Sequence, residues 1–234
     1  MRSRAPRRAT PRLALVLIAA LLLLPAIASC GATPEVPEIS GTIVGTGDVV
    51  TEFRSLAPFT RVSVGAGLKV IIGEASEQEV KLGAQQNLLP AIRTEVVEGQ
   101  LIVTIPSPGV TATQPMTLTL RMTQVESVAL SAGSVGYLEH TGGGINIDVS
   151  GGAEITAIGD TTDLTLTAST GSHARLGELI AQNAEIVVND GSSAELSVVM
   201  VLSGIADGGA TVTLDRKPAQ VSVATSSGAT IQGG

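Results

Sequence analysis

The chain has 234 residues, of which 15% are charged, 27 are glycine and only three are aromatic. Without its first 29 residues, which carry five arginines and no acidic residue, it has nine basic against 21 acidic residues, a net charge near −12. This acidity disfavours nucleic acids and anionic lipid surfaces as partners, and the scarcity of aromatic side chains leaves few stacking platforms for bases or sugar rings.

Residues 1–29 predict a secretory signal peptide. Five arginines precede an apolar stretch from Leu13 to Ile27, which is short for a membrane span of about 20 residues. Pro25 interrupts this stretch and disfavours an uncleaved anchor. Arg7 and Arg8 form the pair of a twin-arginine signal, but the residues after them are not the apolar continuation that such a signal has.

The segment from Ile27 to Cys30 resembles the bacterial lipobox, in which two small residues separate a branched apolar residue from the cysteine that becomes lipidated. Cys30 is the only cysteine of the chain. We therefore expect lipid attachment at Cys30, with several acyl chains holding the protein to the cell envelope and the domain outside the cytoplasm. The alternative is ordinary cleavage after Ala28, which would release a soluble protein.

Residues 30–40 read as the lipidated cysteine and a flexible, extended tether, because this short segment contains Pro34, Pro37 and two glutamates. Residues 41–234 read as one domain. Since Cys30 is the only cysteine, this domain has no disulfide, and its stability must come from packing and backbone pairing.

A glycine recurs six times after residue 120, within one short motif. The motif has Ser, Asn or Asp two residues before the glycine and Ser or Ala one residue after it. Such regularity is typical of repeat proteins. The glycines are Gly133, Gly152, Gly171, Gly191, Gly209 and Gly228, at spacings of 19, 19, 20, 18 and 19 residues.

Apolar residues two positions apart precede these glycines, and one apolar residue follows each, so every repeat reads as strand–turn–strand. The fifth repeat is weaker, with Gly204 where the others have a branched residue. Stacked repeats of this length predict an all-β fold, a right-handed parallel β-helix with about 19 residues per coil. In it the glycines supply turns with positive φ. The alternative is a meandering β-sandwich.

The first half of the chain also has pairs of apolar residues two positions apart, but these pairs recur at no fixed interval. Asn87 to Arg93 is the one plausible helical turn, and Pro106, Pro108 and Pro115 mark a loop. We interpret this half as irregular coils that cap the solenoid at its amino-terminal end. The carboxy-terminal strand is expected to expose an edge, through which copies of the protein could associate.

These features resemble the head GIN domain family of bacterial envelope proteins, named as putative auto-transporter adhesins. The resemblance runs from about Phe59 to the end of the chain. It rests on the opening segment Phe59 to Val64, on Asn87 to Leu89, on the segment Glu98 to Val103 and on the recurring glycine motif. It implies a right-handed β-helical fold and an adhesive surface role, and it carries over no catalytic or ligand-binding residue.

Motifs of enzymes and of metal sites are weak in this sequence. It has no G-x-S-x-G or P-loop motif, and its G-x-G pairs lack the third glycine of a dinucleotide loop. His140 and His173 stand far apart and read as surface turn residues rather than metal ligands. Gly142 to Asp148 superficially resembles a calcium-binding roll, but the period is wrong and the aspartates share no repeat position. We expect no cofactor, metal or catalytic residue.

Three functions are compatible with this sequence. The first is a non-enzymatic adhesion or binding module, whose polar face contacts a surface glycan or another envelope protein. The second is a structural envelope component that associates with itself. The third is a glycan-active β-helix enzyme, which would need two carboxylates and a base in one groove.

Overall fold

The structure of the chain, a computed structural model, describes residues 41–106 and 109–234. The signal peptide, Cys30 and the tether that the sequence predicts lie outside these residues. Within them, no helix has the length and apolar character needed to cross a membrane.

The described residues form eighteen strands and one short 3-10 helix (η1), connected by turns. The helix lies inside the segment predicted as a helical turn. In chain order the elements are β1 (Ile43–Val44), β2 (Val49–Phe53), β3 (Arg61–Val64), β4 (Lys69–Glu74), β5 (Glu79–Gln85), η1 (Leu89–Ala91), β6 (Arg93–Val97), β7 (Gln100–Thr104), β8 (Val110–Thr111), β9 (Thr117–Met122), β10 (Ser127–Leu130), β11 (Val135–His140), β12 (Gly144–Val149), β13 (Glu154–Ala168), β14 (His173–Val188), β15 (Ser193–Ala206), β16 (Thr211–Leu214), β17 (Gln220–Thr225) and β18 (Thr230–Gly233).

The strands on either side of the glycine turns form two parallel ladders. Ladder A contains the strands before the turns, in the spatial order β7, β3, β10, β12, β13, β14, β15, β17. Ladder B contains the strands after the turns, in the order β9, β4, β11, β13, β14, β15, β16, β18. Strands β13, β14 and β15 contribute their first halves to ladder B and their second halves to ladder A. The predicted β-solenoid is therefore confirmed.

The register of ladder A reproduces the spacing of the glycines. Each apolar residue before a turn lies opposite its counterpart in the next coil, so the steps between partners are again 19, 19, 20, 18 and 19 residues. The residues aligned in this way are Val128, Ile147, Leu166, Ile186, Gly204 and Val223.

Inward-facing residues of successive coils build one apolar column. In the coil that contains Ile147, that side chain and its neighbours Ile145 and Val149 are buried, whereas Asn146 and Asp148 between them are exposed. The residue after each turn glycine also faces inward: Ser134, Ser172 and Ser192 are buried. A serine at this position can link adjacent coils by a hydrogen bond. The N–H of Ser172, for example, donates to Oγ of Ser192 at 3.2 Å.

The turns need positive φ at two consecutive residues rather than at the glycine alone. The turn glycines have φ of 68–80°, and the residues before them have φ of 48–60°. In the turn Ser131–Ser134, the N–H of the last residue donates to the carbonyl of the first at 3.1 Å. Paired positive φ values with this hydrogen bond are the features of a type I′ turn, which favours Gly, Asn or Asp at both central positions. Four repeats have a residue other than glycine at the first central position, namely Ala132, Thr170, Asp190 and Ser227.

Thr170 is the β-branched member of this set, at φ 56°. We expect Thr170→Gly to raise the free energy of unfolding by about 1 kcal/mol, because it relieves an αL conformation that is costly for a β-branched residue. Thermal or urea unfolding measures the change. Thr167→Gly, at an outward position inside strand β13, is the matched control and should lower stability by a similar amount. Equal destabilisation by both changes would contradict the strain at Thr170.

The first half departs from simple coil-by-coil winding. The coil of β3 and β4 lies between the coil of β7 and β9 and the coil of β10 and β11, so its position in the stack is not its position in the sequence. Beyond the coil of β7 and β9, antiparallel strands close this end: β6 pairs with β7, and β5 pairs with β9. Less regular amino-terminal coils were predicted, but the antiparallel strands were not.

Polar side chains fasten residues 41–60 to this closed end. Asn87 donates to the carbonyl of Val44 at 2.8 Å and accepts from the N–H of Thr46 at 2.9 Å. The guanidinium of Arg54 donates to the carbonyls of Ile92 and Leu89 at 2.7 and 3.1 Å. Strand β2 lies between these attachments and is therefore held in a fixed position.

Candidate functional site: the polar face of ladder A

The outward side of ladder A carries hydrogen-bonding side chains in four successive coils, beside the exposed apolar Val187 and Ile205. Alternation along each strand places these side chains on one surface, and parallel stacking repeats them at about 4.8 Å. We call this surface the polar face and define it by Asn146, Asp148, Asp163, Thr165, Thr167, Asn183, Glu185 and Ser203.

A depression of about 310 Å³ lies on the polar face across three coils. Asp163 and Asn183 lie opposite each other on adjacent strands, and Nδ2 of the amide donates to the carboxylate Oδ1 at 3.0 Å. Thr165, Glu185 and Ser203 form the next row across the same strands. The depression is lined by Asp163, Leu164, Thr165, Asn183, Ala184, Glu185, Val201 and Ser203.

The electrostatics of this face are those of an acidic and neutral surface. The ladder A segments 144–149, 163–168, 183–188 and 201–206 contain no lysine or arginine. Asp148 is exposed, but desolvation by the neighbouring residues raises the pKa of its carboxyl above the ordinary value. The face can therefore offer carboxylate, amide and hydroxyl groups to a ligand, but no fixed positive charge from these segments.

The outward side of ladder B differs, because it carries charges of both signs. Nη1 of Arg175 lies 2.7 Å from Oε2 of Glu154, and this hydrogen bond lowers the pKa of the Glu154 carboxyl. Tyr137 is half-buried on the same side, and burial together with the Glu139 carboxylate raises its pKa. A depression of about 200 Å³ lies beside Gly73, Arg121 and Glu139. Because this depression is smaller than the one on the polar face, this side is the weaker candidate.

The two histidines lie on strands rather than in surface turns. His140 is 3% exposed at the end of β11, and its Nδ1 lies 3.1 Å from Oε1 of Glu74. The prediction of a surface histidine is therefore wrong for His140. His173 is half-buried, with Nδ1 2.7 Å from Oγ of Ser193. Neither histidine belongs to a cluster of three or more metal-ligating groups within the described residues.

The six turn glycines lie in one row. The N–H of Gly133 donates to the carbonyl of Gly151 at 3.1 Å, and the N–H of Gly152 donates to the carbonyl of Thr170 at the same distance. The pattern continues through the later coils, so each turn is joined to the next. In the fifth turn, hydrogen bonds from Ser227, Ser226 and the N–H of Gly208 lower the pKa of Asp207. This row is part of the scaffold rather than a ligand site.

Sequence reasoning predicted a polar outward surface but not the depression within it. The signal that could have located it is the alignment of Asp163, Asn183 and Val201, which follow one another at the repeat spacing. Finding the site from the sequence would have required the register of these three strands.

The solenoid with its open polar face belongs to the repeat proteins that present an extended surface. A family model described as "Putative auto-transporter adhesin, head GIN domain" matches residues 58–142 and 135–218. Together the matches span more than half of the chain, and the chain belongs to this family. The family resemblance seen in the sequence is thereby confirmed, and the protein is a surface or envelope protein. Comparison with curated proteins gives no match.

Solved structures share the fold at low sequence identity. A putative adhesin from Bacteroides fragilis has a TM-score of 0.61 at 12% identity, with 82% of this chain and 99% of that chain covered. A putative adhesin from Parabacteroides merdae has a TM-score of 0.52 at 12% identity, with 82% and 99% covered. A putative lipid binding protein from Parabacteroides distasonis has a TM-score of 0.50 at 12% identity, with 83% and 100% covered. At this identity the likeness establishes the fold.

Proposed function

We propose that the protein is a non-enzymatic adhesion module, exported and lipid-anchored at Cys30, that binds a neutral, hydroxyl-rich glycan through the polar face. The observation that carries this proposal is the depression lined by Asp163, Thr165, Asn183, Glu185 and Ser203. Carboxylates and amides are the side chains that hydrogen-bond sugar hydroxyls most fully, since they offer several acceptors and, for the amide, two donors.

The absence of basic residues from these ladder A segments selects among glycans. An acidic sugar would meet Asp163 and Glu185 without a compensating cation from the same strands, and like charges repel at short range. A neutral glycan has no such cost. Its successive sugar units could bond successive rows of the face.

The same groups argue against catalysis. A glycosidase needs one carboxylic acid that stays protonated near neutral pH, usually because burial raises its pKa. Asp163 and Glu185, the two carboxylates that line the depression, are both exposed. Neither lies in the buried environment that such an acid requires. Two exposed carboxylates therefore support binding rather than bond cleavage.

The double change Asn183→Ala with Glu185→Ala tests the polar face. We expect it to weaken binding about 30-fold, because two hydrogen-bonding side chains at about 1 kcal/mol each are lost. The measurement is binding of the exported protein to an array of neutral and uronic-acid glycans and to intact cells. Glu195→Ala with Gln232→Ala, an acid and an amide on ladder B, is the matched control and should leave binding unchanged. Unchanged binding by the polar-face variant would contradict the proposal.

Cys30→Ala tests the anchor separately. We expect the wild-type chain to incorporate labelled fatty acid and to sediment with membranes, and the variant to lose both properties, because no other acyl attachment site is proposed. Fractionation of cells that express each chain measures the outcome. A variant that stays in the membrane fraction would show that Cys30 is not the anchor, and it would leave the polar face untouched.

A further inference from the structure

Strand β2 differs from the strands of the solenoid coils because all five of its residues are exposed. Phe53 is 65% exposed, the largest value among the exposed large hydrophobic side chains of the described residues, and Val49 and Val50 are 41% and 37% exposed. In a chain with only three aromatic residues, an aromatic ring left in solvent on a hydrophobic strand is the feature of a contact surface.

Within the described residues, β2 pairs with β5 along one edge, and the backbone groups of its other edge have no strand partner. At the two ends of this pair, the N–H of Arg54 donates to the carbonyl of Val80 and the N–H of Gln86 donates to the carbonyl of Asp48. Alternate residues of an antiparallel strand direct their backbone groups to the same side. The backbone groups of Val50 and Glu52 therefore face β5, and those of Val49, Thr51 and Phe53 face outward.

These outward groups are self-complementary. If a second β2 runs antiparallel with Thr51 opposite Thr51, then Val49 of each copy lies opposite Phe53 of the other. All three opposed pairs then consist of residues whose N–H and carbonyl groups face the partner. Each pair exchanges two hydrogen bonds, giving six in total, and the two-fold axis closes the assembly.

The side chains fit the same register. Val49, Thr51 and Phe53 lie on one face of the strand, since side chains alternate. Each Phe53 ring would pack against Val49 of the other copy, an aromatic–β-branched pair of the kind that stabilises sheets. On the β5 side, Lys81 lies over the same ring, with Nζ 5.2 Å from its centroid. Glu52, on the opposite face, is paired with Arg54 at 2.9 Å, which reduces repulsion between the copies.

We propose that the protein forms a two-fold symmetric dimer by pairing β2 with β2 of a second copy, centred on Thr51. The strand is ready for this contact, because Arg54 and Asn87 hold the segments on either side of it to the closed end of the solenoid. The dimer would present two polar faces from one joined sheet, and it does not depend on the glycan proposal.

Thr51→Cys tests the axis in the full chain, expressed and exported in cells. Opposed residues in a hydrogen-bonded antiparallel pair have Cα atoms about 5.5 Å apart, which is within disulfide range. We expect most of the variant to run as a disulfide-linked dimer on a non-reducing gel after mild oxidation. Thr165→Cys, on the exposed polar face, is the matched control and should stay monomeric. Cys30 is present in both variants, so any linkage through Cys30 would appear in the control as well.

Adding Phe53→Asp to Thr51→Cys should reduce the linked dimer at least tenfold, while an unchanged melting temperature shows that the solenoid is folded. Detergent-solubilised protein without the added cysteine should show the mass of a dimer by light scattering, and Phe53→Asp the mass of a monomer. A Thr51→Cys chain that stays monomeric although its thiol reacts with maleimide would overturn the proposal. Equal linkage in the control would do the same.

Discussion

Replacing Ile147 by aspartate is expected to unfold the coils around it, with a loss of about 4 kcal/mol or more in the free energy of unfolding. Ile147 is 1% exposed, and it lies between Val128 and Leu166 in the apolar column. The substitution removes the packing of a large side chain and buries a carboxyl group with no partner, and both effects lie at the upper end of single-residue changes. Chemical denaturation of the exported protein measures the loss.

Asn146→Asp is the matched control, because the neighbouring side chain faces outward and is exposed. It introduces the same carboxylate on the same strand and should change stability by no more than about 0.5 kcal/mol. Similar unfolding curves for the two variants would mean that the inward and outward positions are misassigned.

Replacing Gly204 by valine should also destabilise strongly, although a comparison of the repeats predicts the opposite. Branched residues occupy the equivalent positions, Ile186 and Val223. However, Gly204 has φ +133°, and a Cβ built on it would lie 1.9 Å from the carbonyl oxygen of Ile186. Because the obstacle is backbone and the conformation is unsuited to a branched residue, we expect a loss of about 3 kcal/mol or more.

Gly143→Val is the control for replacing a glycine by valine where the backbone allows it. The φ of Gly143 is not positive, and a Cβ built on this residue lies more than 4 Å from the atoms of non-neighbouring residues. It should cost less than about 1 kcal/mol by urea or thermal unfolding. A Gly204→Val protein as stable as the wild type would show that the backbone can relax away from the close approach, and consensus reasoning would then be correct.

The repeat half of the fold could be predicted from the sequence because two signals agree there. The apolar residues alternate, and the glycine motif recurs at the interval that the sheet register later requires. One copy of that motif would only have predicted a turn. Six copies fix how many residues each coil contains, and hence which residues lie opposite each other.

The first half could not be predicted as well, since alternation is the same in parallel and antiparallel strands. Val80 and Leu82 alternate as the repeat strands do, yet β5 runs antiparallel to β9. The attachments made by Asn87 and Arg54 join residues 35 to 43 positions apart, and no local pattern predicts such contacts. The burial of His140 was missed because its partner, Glu74, comes from an adjacent coil.

The candidate site was likewise predictable only in part. The polar outward surface follows from alternation, but the depression depends on which residues lie beside each other in three neighbouring coils. The exposed edge of β2 could not be predicted either, because the sequence of a strand does not show whether one or both of its edges are paired.

The position of the coil of β3 and β4 constrains how the chain can assemble. Both flanking coils come later in the sequence, at residues 100–122 and 127–140. A polypeptide that crosses a membrane amino end first delivers residues 61–74 before either neighbouring coil, so β3 and β4 cannot pair with a parallel neighbour until a segment ending near residue 122 has followed. That early step closes long loops and is the slow one, whereas each subsequent coil adds to a finished template over a short chain distance.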